Sequence, residues 1–169
     1  MMAFVVLAIV VVILYLILKP EEEKNADKRA NTTHFKFPDE IPIIFDVVDE
    51  YLEKNEDMLK KYPLLVNPYA FMLAVRMCEQ GRKGLEFGVM AAKDTDLRTQ
   101  AEWTMATLIK DTKRWYTNNL ANGKSKSDYP SFISYFADKW SPVGASNDPT
   151  NLNKNWLPNF QKFYKQFLP

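Results

Sequence analysis

The chain has 169 residues, 47% of them apolar, and its 22 Lys and Arg against 21 Asp and Glu leave a net charge of +1. That length suits one domain with a short appendage, and the balanced charge gives no reason to expect a nucleic-acid partner. A single cysteine, Cys78, excludes an intrachain disulfide, and a single histidine, His34, excludes a His-rich metal site; no motif asks for a metal or a cofactor.

From Met1 to Leu18 no side chain carries a charge. At about 1.5 Å per residue a helix of that length reaches roughly 27 Å, enough for a thin hydrocarbon core with Lys19 snorkelling at one end. Residues 2–19 are therefore expected to be a single-pass transmembrane anchor in a lipid bilayer. A cleaved signal peptide would carry a basic start and a small-x-small cleavage step, and the stretch from Tyr15 to Pro20 has no such step. Lys19, Lys24, Lys28 and Arg29 follow the span and no Lys or Arg precedes it, a distribution that by the positive-inside rule holds the rest of the chain in the cytoplasm.

Residues 20–38 are polar, mixed in charge and without periodicity, and read as a linker. A domain over 39–169 follows, all-α or nearly so. Asp39 is expected to cap its first helix, with Pro42 in the first turn and Ile44, Val47, Val48, Tyr51 and Leu52 on one face, ending by Pro63. Asn67-Pro68 opens a second helix with Phe71, Met72, Val75 and Cys78 on one side, and Gly81 is expected to stop it. The glycine-rich stretch 81–92 reads as a tight loop with room for a short hairpin. A long helix capped within Asp94–Asp96 then runs to Leu120, with Leu97, Ala101, Met105, Leu108, Thr112 and Trp115 inward and Asn122-Gly123 as its stop. Ser127-Asp128 and Pro130 open a helix to Trp140, a loop covers 141–155, and a last helix spans about 158–167.

No phosphate-binding glycine loop, zinc-protease helix, Cys pair or nucleophile elbow is present. Cys78 reads as a small core residue. Glu79 differs: it ends an apolar helix and faces a glycine-rich turn. Burial and the negative end of the helix dipole both disfavour its charged form, which keeps a carboxylic acid protonated for general acid catalysis. The competing reading is a solvated glutamate in a helix-terminal turn.

Three blocks carry a resemblance. The first is Glu79 followed by a glycine-containing loop to Glu86-Phe87-Gly88-Val89. The second is Gln100-Ala101-Glu102-Trp103-Thr104-Met105-Ala106. The third runs from Phe136-Ala137-Asp138-Lys139-Trp140 through Asn147-Asp148-Pro149 to Trp156. Together, over about residues 68–164, they resemble the lysozyme-like superfamily of lytic transglycosylases and goose-type lysozymes, in a compact form found in bacteriophage proteins. Gln80 stands where many transglycosylases have serine, and the later Gly-Leu-Met-Gln signature is missing, with Phe87-Gly88-Val89 in its place.

The resemblance implies a lysozyme-like helical domain and, as partner, peptidoglycan glycan strands, cleaved between MurNAc and GlcNAc. It makes Glu79 the acid and then the base, with the sugar's own 6-hydroxyl as attacking group in the transglycosylase version. Glu86 is the second carboxylate that the motif offers, either orienting water in a lysozyme version or bracing the glycine loop. Phe87, Gly88, Asn147 and Trp156 are the implied substrate-binding residues. Phe87 and Trp156 are also eligible for the core, to which Trp103 is assigned, and Asn147 and Asp148 are also suited to capping the turns of their loop. An anchored enzyme of this kind suits the internal membrane of a bacteriophage virion, where it would open the wall during genome entry alongside capsid or other virion proteins. The bacterial inner membrane is the alternative location, and an inactive tether between viral membrane and capsid is the alternative role.

Overall fold

The computed structural model describes residues 29–121, 132–146, 148 and 150–169. The expected anchor at 2–19, most of the linker, the Asn122-Gly123 stop and the start of the following helix lie outside these residues. Among the described residues no helix is long and apolar enough to cross a membrane.

The described chain is all-α. Helix α1 covers Ile41–Lys54, α2 Glu56–Lys61, α3 Pro68–Glu79, α4 Leu97–Ala121, α5 Phe132–Trp140 and α6 Trp156–Phe167, with short 3-10 turns at Pro38–Glu40, Met90–Ala92 and Leu152–Asn155. No strand forms in the 81–92 loop.

Helix α3 is the central element. Its sequence is apolar nearly all round, and every residue from Ala70 to Met77 is buried, the pattern of a helix enclosed on all sides. It packs most extensively on α6, while α1 lies against α4. The α3–α6 pair is antiparallel: the Tyr164 hydroxyl accepts from the Asn67 amide at the start of α3 (2.8 Å), and Trp156 reaches Glu79 at its end (2.8 Å). Edge-to-face contacts of Phe71 with Phe136 and Phe160 join α3, α5 and α6 at ring separations of 4.9 and 5.1 Å.

The helix starts follow the sequence. Asn67 Oδ1 accepts from the Ala70 amide at 3.0 Å, and Asp96 Oδ1 from the Thr99 amide at 2.7 Å, each satisfying an orphan first-turn donor. Asp39 instead lies inside the 3-10 turn, and Glu40 precedes α1. The inward stripe of α4 holds, with Ala101, Met105, Leu108, Thr112 and Trp115 buried.

Two features differ from the sequence reading. The stop of α3 is Gln80, itself left-handed at φ 43°, rather than Gly81. Gly81 is required for another reason: a Cβ there would stand 1.7 Å from the Leu85 carbonyl oxygen, so the returning loop leaves no room for a side chain. The packed structure also begins before residue 39. Ala30 and Phe35 are buried, Arg29 pairs with Asp49 at 3.2 Å, and the Asn31 amide donates to the Phe167 carbonyl at 2.9 Å. The described part of the expected linker is thus an arm held by two apolar anchors, Phe35 and Phe37, which a composition average over polar neighbours conceals.

Candidate functional site

Glu79 is the last residue of α3, and its side chain turns under the loop toward α5 and α6. Two indoles meet it there. Trp140 Nε1 and Trp156 Nε1 each donate to Glu79 Oε1 at 2.8 Å. The rings themselves are set by stacking: Trp140 on Phe136 at 5.2 Å and Trp156 on Phe160 at 5.1 Å. The other oxygen, Oε2, accepts no hydrogen bond among the described residues and lies against Gly88. A Cβ at Gly88 would stand 2.2 Å from Oε2, and the residue is left-handed at φ 70°, so glycine is needed both for the backbone and for the carboxyl.

Desolvation pushes the Glu79 pKa up, against the lowering effect of the two indole donors. The neighbouring Cys78 thiol is pushed up to about 12, first by burial and then by the Glu79 charge, and so stays a thiol. Both residues border a cavity of about 410 Å³ whose other walls are Ser141, Leu152, Asn153, Asn155, Trp156 and Asn159. The other walls are neutral and rich in amides, and Glu79 is the one carboxylate among the described lining residues.

Glu86 is brought close in sequence but not into this cavity. It is buried, its Oε1 accepts from the Gly84 amide at 2.9 Å, and its Oε2 has no hydrogen-bond partner among the described residues. Two side chains hold the loop around it. Arg76 Nη1 donates to the Glu86 carbonyl at 3.3 Å, while its Nε and Nη2 grip Glu40 at 2.7 and 2.9 Å, and its guanidinium lies 3.8 Å from the Phe37 ring centre. Gln100 Nε2 donates to the Gly84 and Ala92 carbonyls. Of its two expected roles, Glu86 has the geometry of the loop brace.

Phe87 is 0% exposed, so its ring fills the core beneath the loop and presents no face to a ligand; Glu86 beside it is buried too, and Gly88 lies at the Glu79 carboxyl. Trp156 combines both of its readings, being 7% exposed yet bordering the cavity. Trp103, assigned to the core, is 48% exposed on α4, because the helix turns position 103 away from the stripe through Ala101 and Met105. Asn147 lies outside the described residues. Asp148 caps its loop: Oδ1 accepts from the Leu152 amide and Oδ2 from the Asn153 amide, both at 2.9 Å. Among the described residues no group of three His, Cys, Asp or Glu side chains is placed to hold a metal ion.

Sequence reasoning gave no role to Trp140, Ser141, Asn153 or Asn159. Trp140 sits 61 positions from Glu79 in the chain, and no local pattern reports such a pairing; the one available sign was its place in the third block.

No family model matches the chain, and no solved structure does. The chain is similar to an uncharacterized protein of African swine fever virus. In the warthog isolate from Namibia the identity is 29% over 128 residues, covering 72% of this chain and 30% of the relative. In a tick isolate from South Africa it is 28% over 128 residues with the same coverage, and in one from Malawi 28% over 117 residues, 66% of this chain and 27% of the relative. The chain thus spans less than a third of the length of these viral relatives.

Proposed function

We propose that this chain is a membrane-anchored, lysozyme-like enzyme that cleaves the β-1,4 bonds of peptidoglycan, with Glu79 as general acid. The observation that carries the reading is the Glu79 carboxyl: mostly buried at a helix end, its pKa raised by desolvation, one oxygen bonded to two indoles, in a residue that borders a neutral cavity. An acid poised in this way can protonate a leaving glycosidic oxygen and then take a proton from the attacking group. A retaining hydrolase places a second carboxylate about 5 Å from the first. With Glu86 turned into the loop and no other carboxylate among the described lining residues, the lytic transglycosylase version is favoured, in which the sugar's own 6-hydroxyl attacks. Residues 2–19 would hold the enzyme to a bilayer, with a virion membrane as its location.

The viral relatives favour one alternative. They belong to African swine fever virus, from warthog and tick isolates, and animal cells have no peptidoglycan. The inactive tether between a viral membrane and its capsid accounts for a domain shared with such a virus without that substrate.

Digestion of purified peptidoglycan by the full chain separates the two. The enzyme releases muropeptides, with 1,6-anhydro ends if transglycosylation operates and reducing ends if water attacks. Glu79→Gln keeps the acceptor for both indoles but loses the acidic proton, and should reduce release by at least about a hundredfold. A folded wild-type chain that releases nothing removes the enzyme and leaves the tether as the reading to pursue.

A further inference from the structure

Two indoles on one carboxyl oxygen do more than fill space. An indole N–H is a donor only, and a carboxyl oxygen has two lone pairs in the plane of the group. With Trp140 and Trp156 both on Oε1 at 2.8 Å, neither lone pair of that oxygen is left for a proton. We propose that Trp140 and Trp156 are positioning residues that assign the Glu79 proton to Oε2, the oxygen beside Gly88, on the carboxyl that borders the cavity. The function of this assignment rests on the enzyme reading given above; the assignment itself does not.

The elements meeting at the carboxyl cooperate. Trp140 is the last residue of α5 and Trp156 the first of α6, and the two helix ends close on the end of α3. Phe136 packs on both rings, at 5.2 Å from Trp140 and 6.3 Å from Trp156, so the two N–H vectors are set by one aromatic cluster. Gly88 completes the arrangement by keeping the space around Oε2 free of a Cβ. The pair also limits how far burial raises the acid: both donors favour the charged form, and desolvation opposes them.

The charged groups nearby are committed elsewhere. Lys139 bonds Asp111 and Tyr135, Arg76 bonds Glu40, Arg82 faces Asp94 and Asp148 caps its loop. Cys78, the other titratable group on the cavity wall, is a neutral thiol with its pKa at about 12. Glu79 is therefore the group that the two indoles should report as pH changes.

The test is a pH titration of the full chain in detergent micelles, following the indole Nε1–H resonances of Trp140 and Trp156 and the Glu79 carboxyl carbon. All three should move with one shared midpoint, and Glu79→Gln should abolish the inflection in both indoles. Removing one donor with Trp140→Phe or Trp156→Phe should raise the carboxyl midpoint and move the high-pH limb of the cleavage rate, where the acid loses its proton, in the same direction. Indoles that titrate apart from the carboxyl, or a midpoint unmoved by loss of either donor, overturn the assignment. The wild-type titration needs no variant to fold. It also needs no turnover: a shared midpoint in a chain that cleaves nothing upholds the proton assignment while removing the enzyme.

Discussion

Glu79 and Glu86 are two glutamates on either side of one glycine loop, and the structure treats them in opposite ways. Glu79 ends a helix, receives two indole donors on one oxygen and borders a cavity. Glu86 is enclosed, turns back to the Gly84 amide and sits under a loop that Arg76 and Gln100 tie down. The first arrangement sets a carboxyl in a cavity wall; the second spends its carboxyl on holding backbone. Position relative to a helix end decides the difference. The negative end of α3 and the aromatic rings of α5 and α6 converge on Glu79, whereas Glu86 lies in the turn that closes over them.

Breaking the brace should give the largest effect on stability. Arg76→Ala removes a buried cation from Glu40, Phe37 and the Glu86 carbonyl, and should cost about 3 kcal/mol in chemical denaturation. A loss below about 1 kcal/mol would mean that the brace does not hold the loop. Gly88→Ala acts on the other side of the comparison. Its Cβ would collide with Oε2 in a left-handed backbone, costing about 1–2 kcal/mol and lowering kcat at least about tenfold with KM little changed, since the acid rather than the binding wall is displaced. Glu86→Gln should lower cleavage less than about threefold while costing about 1 kcal/mol, because an amide can still accept from Gly84; a loss as large as that of Glu79→Gln would restore Glu86 to a catalytic role.

The smallest effect is a pH dependence of stability. The Glu79 pKa is raised in the folded chain, so the folded state holds its proton more tightly than the unfolded one. That contribution is present in full below the ordinary glutamate range and is lost as pH rises through the folded-state value. Denaturation midpoints of wild type should therefore fall over that interval relative to Glu79→Gln, which has no such group. Parallel curves for the two proteins would count against a raised pKa.

The helices were legible because their causes are local. Apolar spacing marks α1 and α4, and Asn67 and Asp96 announce the starts of α3 and α4 through side-chain acceptors placed three residues before the amides they cap. The position of Glu79 at a helix end was legible for the same reason. Its partners were not: Trp140 and Trp156 come from 61 and 77 residues away, a separation that no periodicity encodes. Gly81 taught a different lesson. Its presence suggested a helix stop, yet Gln80 takes the left-handed conformation and the glycine answers to the approach of the Leu85 carbonyl. Phe87 took the core place that was one of its two readings, while Trp103 left the core assigned to it, because burial depends on what packs from elsewhere.

The arm along residues 29–37 has a mechanical consequence. The Asn31 amide bonds the Phe167 carbonyl, and the Phe35 ring meets the Phe167 ring at 5.8 Å, so the arm and the end of α6 are clipped together at the start of α3. Glu79 lies at the opposite end of that helix, about 16 Å away along its axis. A pull applied along the chain ahead of Arg29 would load the Arg29–Asp49 pair first and this clip next, one contact at a time. The fold thereby separates the place that takes the strain from the place that holds the acid.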